Sequence, residues 1–330
     1  MRLLALESGT TSSRAWLMED GSVLAGGQER VGARDLARGR TVAWLGDKVR
    51  SLANTLLERR GLTGEDIDAF VAFGMITSEL GLVEVPHVPA PAGIRELVAG
   101  LRLYEGDALG DSSDPLASRL YLVPGVRCGG GGASDDRDFM RGEETEVVGL
   151  LAHEPPTLPL LFVSPGSHTK FITVDSRQRI VGSITTLSGE MVWALHRETI
   201  LAELIDPART AVNMDDARRG ATAAQQHGLS RALYLTRLEN RLDGTPRERC
   251  SDFVLGALAG ADLQALPAHG DAPSTVIVRG DDGLARVYES LLRAQPWVEE
   301  VQRVDSPLGP MGAWHIYLQS LQSKTAAIQG

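Results

Sequence analysis

Two short segments carry the residue types from which proteins build phosphate sites. Gly9, Thr10 and Thr11 follow an apolar run and precede Arg14; Gly166, Ser167, His168 and Thr169 follow another and precede Lys170. Glycine lets the backbone approach a ligand closely, while N–H groups and Ser/Thr hydroxyls donate to phosphate oxygens. One such segment is most simply an ordinary tight turn. Two of them in matched surroundings, each leading to a basic residue, point to phosphate binding. The imidazole of His168 could add a further donor, although a loop histidine needs no such role. A third cluster is the run MRGEET at 140–145, which follows Asp138 and supplies Arg141, Glu143 and Glu144. A planar guanidinium suits bidentate recognition of a carboxylate, and Arg141 could equally pair with the neighbouring acids. Carboxylates can take a proton from a reacting group. At a helix start they are also favoured by the positive end of the helix dipole.

Positioning these groups falls to elements that the sequence repeats. Residues 3–22 (LLALESGTTSSRAWLMEDGS) and 160–178 (LLFVSPGSHTKFITVDSRQ) share one order: apolar run, Gly and Ser/Thr turn, basic residue, second apolar run, polar turn. That is a β-hairpin written twice. Between the two, residues 46–60 have the apolar spacing of a helix and residues 69–76 read as a buried strand. Residues 187–205 and 250–266 read as helical. Residues 274–279 form a short apolar strand running into Gly280, with helical spacing again over 284–293. Residues 129–138 (GGGGASDDRD) break the pattern as a flexible connection would. The expected architecture is therefore α/β in two domains, 1–138 and 139–330, with a ligand cleft between them.

Composition limits the function classes. A chain of 330 residues, 43% hydrophobic, is long for one core and suits two. A formal net charge of −10 gives no broad basic surface, so no nucleic-acid partner is expected. Only Cys128 and Cys250 are present, far apart and without a neighbouring Cys or His at metal-ligand spacing, so neither a disulfide framework nor a zinc site is indicated, and a reducing cytoplasm is expected. Even the apolar stretch around Leu255–Leu266 is interrupted by Gly, Asp and Gln, so no membrane span is expected.

The run MRGEET at 140–145, with PGSHTK at 165–170 and GMITS at 74–78, resembles the 2-dehydro-3-deoxygalactonokinase family. The resemblance spans most of the chain, and MRGEET is its most specific part. It implies the actin-like fold, with two ribonuclease H-like domains, and transfer of the ATP γ-phosphate to the terminal hydroxyl of 2-dehydro-3-deoxy-D-galactonate. ATP and Mg²⁺ are the implied cofactors. It assigns Gly9, Thr10, Thr11 and Arg14 to the first phosphate loop, and Gly166, Ser167, His168, Thr169 and Lys170 to the second. Gly280 is placed near adenosine. Ser78, Arg141 and Glu190 are placed near the sugar acid, with structural roles for Ser78 and Glu190 equally open. Glu7 occupies the place where related kinases carry Asp approaching Mg²⁺ through water. Among the acids, Glu143 follows a glycine at the start of a helix before the second hairpin, as the base does in related sugar kinases; Asp138 is the reserve, with Glu144 a further candidate. Alternative readings are a kinase of 2-dehydro-3-deoxygluconate or another sugar acid, or a non-catalytic, assembling actin-like ATP-binding protein. A homodimer is left open. The first phosphate strand begins close to Met1 with no helix-turn-helix segment before it, so a sugar-responsive repressor is not expected.

Overall fold

The computed structural model describes residues 1–105, 109, 114–130, 137–153, 155–266 and 273–329. The chain divides into two compact units: residues 1–156, 178–181 and 307–330 form the first, and residues 157–177 and 182–306 the second.

In the first unit, the hairpin of β1 (Arg2–Ser8) and β2 (Ser13–Glu19) continues into β3 (Ser22–Glu29), α1 (Ala33–Ala37) and α2 (Val42–Glu58). Then come β4 (Ala69–Gly74), β5 (Val88–Pro89), α3 (Ile94–Gly100), β6 (Arg102–Leu103), α4 (Pro115–Ser118), β7 (Leu120–Leu122), β8 (Val126–Cys128), β9 (Asp138–Met140) and α5 (Glu143–His153). Six strands make one sheet in the order β3-β2-β1-β4-β7-β6, and β5, β8 and β9 make a small second one. The alternating pattern of β2 explains its place: Ala15 and Leu17 turn inward with Leu4 and Leu6 of β1 onto Leu45, Val49, Ala53 and Leu56 of α2. The middle of β1, Leu3 to Leu6, is an unbroken apolar run because the strand is central, paired antiparallel to β2 and parallel to β4.

The second unit repeats the plan. β10 (Leu160–Ser164), β11 (Thr169–Val174), β12 (Ile180–Thr186), α6 (Ser188–Glu198), α7 (Met214–His227), α8 (Leu229–Asp243), α9 (Arg247–Leu263), β13 (Thr275–Arg279), α10 (Gly283–Arg293) and β14 (Glu300–Val304) follow in sequence. The sheet order is β12-β11-β10-β13-β14. As in the first unit, the strand opening the hairpin pairs antiparallel with its successor and parallel with a later strand. Its core joins Leu161, Val163 and Phe171 to Phe253, Val254, Ala257 and Leu258 of α9 and Tyr288 of α10.

The last helix, α11 (Leu308–Gln329), returns to the first unit and packs on α5. Their backbones meet so closely that a Cβ on Gly312 would lie 1.8 Å from the Thr145 carbonyl oxygen. The compact units place this helix and β9 differently from the expected division at 138/139. β9 pairs antiparallel with β8, Val126 facing Met140 and Cys128 facing Asp138, so the chain stays in the first unit through α5. The C-terminal stretch expected in the second domain likewise belongs to the first. Of the glycine-rich connection, residues 131–136 lie outside the described residues.

Candidate active site

The first hairpin tip is held from behind. Gly9 N–H donates to the Ser12 carbonyl at 2.8 Å, and the Gly9 and Thr10 carbonyls accept from Ala33 and Arg34 N–H at 3.1 and 2.9 Å, where α1 begins. Ser13 Oγ donates to the Val31 carbonyl at 2.8 Å. At the strand ends Glu7 and Arg14 are cross-strand partners, and Arg14 Nη1 donates to Glu7 Oε2 at 3.1 Å. The residue expected near a metal and the base expected at phosphate thus face one another as an ion pair.

Beside Glu7 the structure gathers the end of β4 and the start of α5. A Cβ at Gly74 would lie 2.6 Å from the Ser8 carbonyl oxygen and 3.7 Å from Glu7 Cγ, and a Cβ at Gly142 would lie 3.4 Å from Gly74 Cα. Gly142 has φ +112°, which favours glycine strongly, and this turn aims the chain from β9 into α5. Its carbonyl accepts the Thr145 and Glu146 N–H groups at 3.0 and 3.1 Å. Two adjacent acids then differ sharply. Glu144 is fully buried; its carboxyl accepts Gly142 N–H at 2.9 and 2.8 Å and Thr145 Oγ–H at 3.0 Å. Burial, helped by the charge of Glu143, pushes its pKa up to about 8. It is a local brace. Glu143 is only half-buried, beside Gly142 and at the mouth of the helix. Asp138 is half-buried on β9, three residues upstream of Arg141, and its Oδ1 accepts Phe139 N–H at 2.8 Å.

The Glu144 environment has a testable consequence. Between 4.5 and about 8 the folded chain holds a proton there that the unfolded chain has lost. The contribution to stability is therefore complete below 4.5 and falls as pH rises towards about 8. Glu144→Gln keeps an acceptor for Gly142 and has no charge to form. Its melting temperature is expected to gain on the wild type progressively as pH rises across that window; a pH-independent difference between the two melting curves would contradict this.

Arg141 does not turn to Glu143 or Glu144 for hydrogen bonds. Nη1 donates to Thr77 Oγ1 at 3.1 Å and Nη2 to the Val85 carbonyl at 2.8 Å, with His87 Nδ1 at 3.3 Å. The guanidinium is thus tied to the segment after β4. Ser78, in contrast, is buried, with Oγ donating to the Met75 carbonyl at 2.7 Å and accepting Leu80 N–H at 3.2 Å. Its hydroxyl closes a turn. Thr77, one residue earlier, makes the contact with Arg141 that the sequence did not suggest.

In the second unit, residues 165–168 form the tip between β10 and β11, with Ser164 opposite Lys170. Lys170 is buried and its Nζ donates to Thr185 Oγ1 at 2.8 Å. The start of α6 lies against the tip: Glu190 N–H donates to the Ser167 carbonyl at 2.9 Å, and a Cβ on Gly189 would sit 1.8 Å from the Gly166 carbonyl oxygen. Glu190 Oε2 is 4.0 Å from His168 Nε2. Glu190 therefore belongs to the second hairpin, whereas Ser78 and Arg141 belong to the first unit.

Gly280, at φ +93°, ends β13 and donates its N–H to the Val304 carbonyl at 2.8 Å. Asp282 caps α10, accepting Ala285 N–H at 2.8 Å. Asp281 lines an open cavity of about 1070 Å³ with Arg209, Asn213, Arg218, Arg286 and Arg293. Fully buried Asp252 holds one wall, accepting Arg209 Nη2 at 3.0 Å and Asn213 N–H at 2.9 Å. The chain's local pattern around 209–218 carries no sign of this pocket; folding brings it to α10.

A model of the 2-keto-3-deoxy-galactonokinase family matches residues 7–313, from the end of β1 into α11, and so includes both hairpins and the start of α5. The chain belongs to this family. Its members are ATP-dependent phosphotransferases. One relative of this family member is the 2-dehydro-3-deoxygalactonokinase of Escherichia coli (strain K12), 27% identical over 89% of this chain and 90% of that one. Among solved structures, a Sinorhizobium meliloti protein described as a candidate 2-dehydro-3-deoxygalactonokinase superposes with a TM-score of 0.73 at 22% identity, covering 95% of this chain and 97% of that one. The activator of 2-hydroxyisocaproyl-CoA dehydratase from Clostridium difficile, solved with bound ADPNP, gives a TM-score of 0.53 at 12% identity over 99% and 98% of the two chains. These likenesses show the fold, and it is the actin-like α/β fold expected from the sequence. No helix among the described residues of the family member is long and apolar enough to cross a membrane.

Proposed function

We propose that the chain transfers the γ-phosphoryl group of ATP to the terminal, 6-hydroxyl group of 2-dehydro-3-deoxy-D-galactonate. The observation that carries this reading is the family match over residues 7–313, a span that includes both hairpins and the start of α5. The relative from Escherichia coli bears the name of that activity. In this reading the tips at Gly9–Thr11 and Gly166–Thr169 donate backbone N–H and hydroxyl groups to the phosphates, and Lys170 adds charge. Adenosine enters the cavity beside Gly280 and Asp281, whose arginines offer flat cationic faces to a purine. Arg141 receives the substrate carboxylate. Glu143 takes the proton of the attacking hydroxyl as its oxygen bonds to the γ-phosphorus and the bond to the leaving ADP oxygen breaks.

Mg²⁺ would accompany ATP. Among the described residues, no group of three His, Cys, Asp or Glu side chains gathers to hold a metal. Glu7 is the carboxylate that would approach the ion, directly or through water, a contact that Mg²⁺ accepts. When bound, the ion neutralises phosphate charge; Arg14 then remains to balance Glu7. The setting proposed for this reaction is a reducing cytoplasm, in which the buried Cys128 and Cys250 stay as thiols.

The test is a coupled assay of ADP release with Mg-ATP and a panel of sugar acids. Turnover is expected with 2-dehydro-3-deoxy-D-galactonate in preference to its gluconate epimer, with phosphate found on the terminal oxygen. Turnover of the epimer alone would move the assignment to that acid. ATP hydrolysis without phosphorylation of any acid would favour the non-catalytic or assembling reading.

A further inference from the structure

Under the second hairpin lies a buried polar network that the chemistry above does not use. Asp262, on α9 and 8% exposed, accepts Thr186 Oγ–H at 2.7 Å and Ser188 Oγ–H at 2.6 Å on one oxygen, Oδ2. The same oxygen accepts the Tyr288 hydroxyl from α10. Tyr288 has a single hydroxyl proton. With that proton on the carboxylate, the 3.3 Å contact between Tyr288 Oη and Thr169 Oγ1 leaves Thr169 as the donor. The carboxylate thus reaches three places around one tip. Thr186 adjoins Thr185, the acceptor for Lys170 Nζ. Ser188 adjoins Gly189, packed on the Gly166 carbonyl, and Glu190, whose N–H holds the Ser167 carbonyl. Thr169 is itself in the tip segment, next to Lys170.

A carboxylate in an apolar helix such as α9 costs folding free energy unless it is fully bonded, and burial does push the Asp262 pKa up against the hydroxyl donors that lower it. A hydrophobic or amide side chain would fill the space at less cost. What an ionised acceptor adds is orientation, because it forces the three hydroxyls to point their protons inward and so sets the rotamers of the residues that carry them.

We propose that Asp262 is a positioning residue for the nucleotide phosphates: through Thr186, Ser188 and Tyr288 it holds Lys170, the Gly166–Ser167 backbone and Thr169 in register. This rests on the reading of the second hairpin as a phosphate site. In Asp262→Asn the neutral amide is a weaker acceptor for the hydroxyls and brings an NH2 donor that the carboxylate lacks, and the tip loses its alignment while the volume is kept. KM for ATP is expected to rise about tenfold, with KM for the sugar acid within twofold of wild type. Tyr288→Phe, which removes the hydroxyl shared with Asp262 and Thr169 but leaves Thr186 and Ser188 on the carboxylate, is expected to show a smaller rise, and the double variant no more than Asp262→Asn alone, since both act on one network.

The experiment is steady-state kinetics in both substrates for the wild type and the three variants, with calorimetric binding of ADPNP and melting curves. An Asp262→Asn protein that melts cooperatively yet keeps KM for ATP within twofold, or raises both KM values equally, overturns the positioning role while leaving the hairpin reading intact. Should Asp262→Asn fail to fold, an unchanged KM for ATP in Tyr288→Phe overturns it instead. Absence of ADPNP binding by the wild type would overturn the hairpin reading itself, and this proposal with it.

Discussion

Glu143→Gln is expected to lower kcat by roughly 10²–10⁴-fold with ATP affinity nearly unchanged, the range that a positioned general base contributes. Three acids compete for the role, and their surroundings separate them. Glu144 is buried, bonded to Gly142 N–H and Thr145 Oγ–H, and its pKa is pushed up to about 8. A carboxyl that is neutral at pH 7 and spent on the backbone is poorly placed to receive a substrate proton. Asp138 lies in a strand register with Cys128 and braces the next backbone N–H. Glu143 stands half-buried next to the Gly142 turn, which touches the β4 end beside Glu7. The measurement is steady-state kinetics of Glu143→Gln, Glu144→Gln and Asp138→Asn side by side, with folding checked by thermal melts. If Asp138→Asn alone abolishes turnover and Glu143→Gln stays within a few-fold of wild type, Asp138 is the base and Glu143 serves only the helix start.

Gly189→Ala carries the second large expected effect. Its Cβ would sit 1.8 Å from the Gly166 carbonyl oxygen and 3.1 Å from Ser167 Cα. Both obstacles are backbone, so no side-chain rotamer can relieve the clash. Either the tip or the start of α6 must move by more than an ångström, and a misplacement of that size in a reacting array costs on the order of 100-fold. The overpacking should also lower stability by about 1–3 kcal/mol. Gly182, on β12, provides the control, because a Cβ added there would meet nothing within 4 Å: Gly182→Ala should leave turnover near wild type. Comparable kcat/KM values for the two alanine variants would show that the contact between α6 and the tip has no part in turnover.

Local patterns were legible and long-range ones were not. Both hairpins announced themselves because a strand, a glycine turn and a strand are written in consecutive residues, and the segments read as α2, α9, β13 and α10 appear within a few residues of the expected bounds. α7 (Met214–His227) escaped notice because the face it turns towards α9 carries Gly220 and alanines instead of large apolar residues. β3 and β12, edge strands rich in exposed and half-buried positions, also lack the alternation that marks a half-buried strand.

The site divides along the same line. The two glycine and Ser/Thr hairpin tips, the acids of the RGEET run and the family were legible in the sequence alone, since each depends on residue types in one short segment. Which acid is fully buried and bonded to the backbone and which is only half-buried was decided by the fold: adjacent residues on a helix face different surroundings, and the packing around Gly142 buries Glu144 completely but Glu143 only in part. Ser78 and Thr77 were sorted in the same way, by which hydroxyl meets Arg141. Asp262 was visible as an acid interrupting an apolar helix, which from sequence only argued against a membrane span. Its partners come from α6, α10 and the strand before α6, and nothing local to residue 262 names them. The unit boundary depended on α11, whose return to α5 is a contact between segments about half the chain apart that no window of sequence contains.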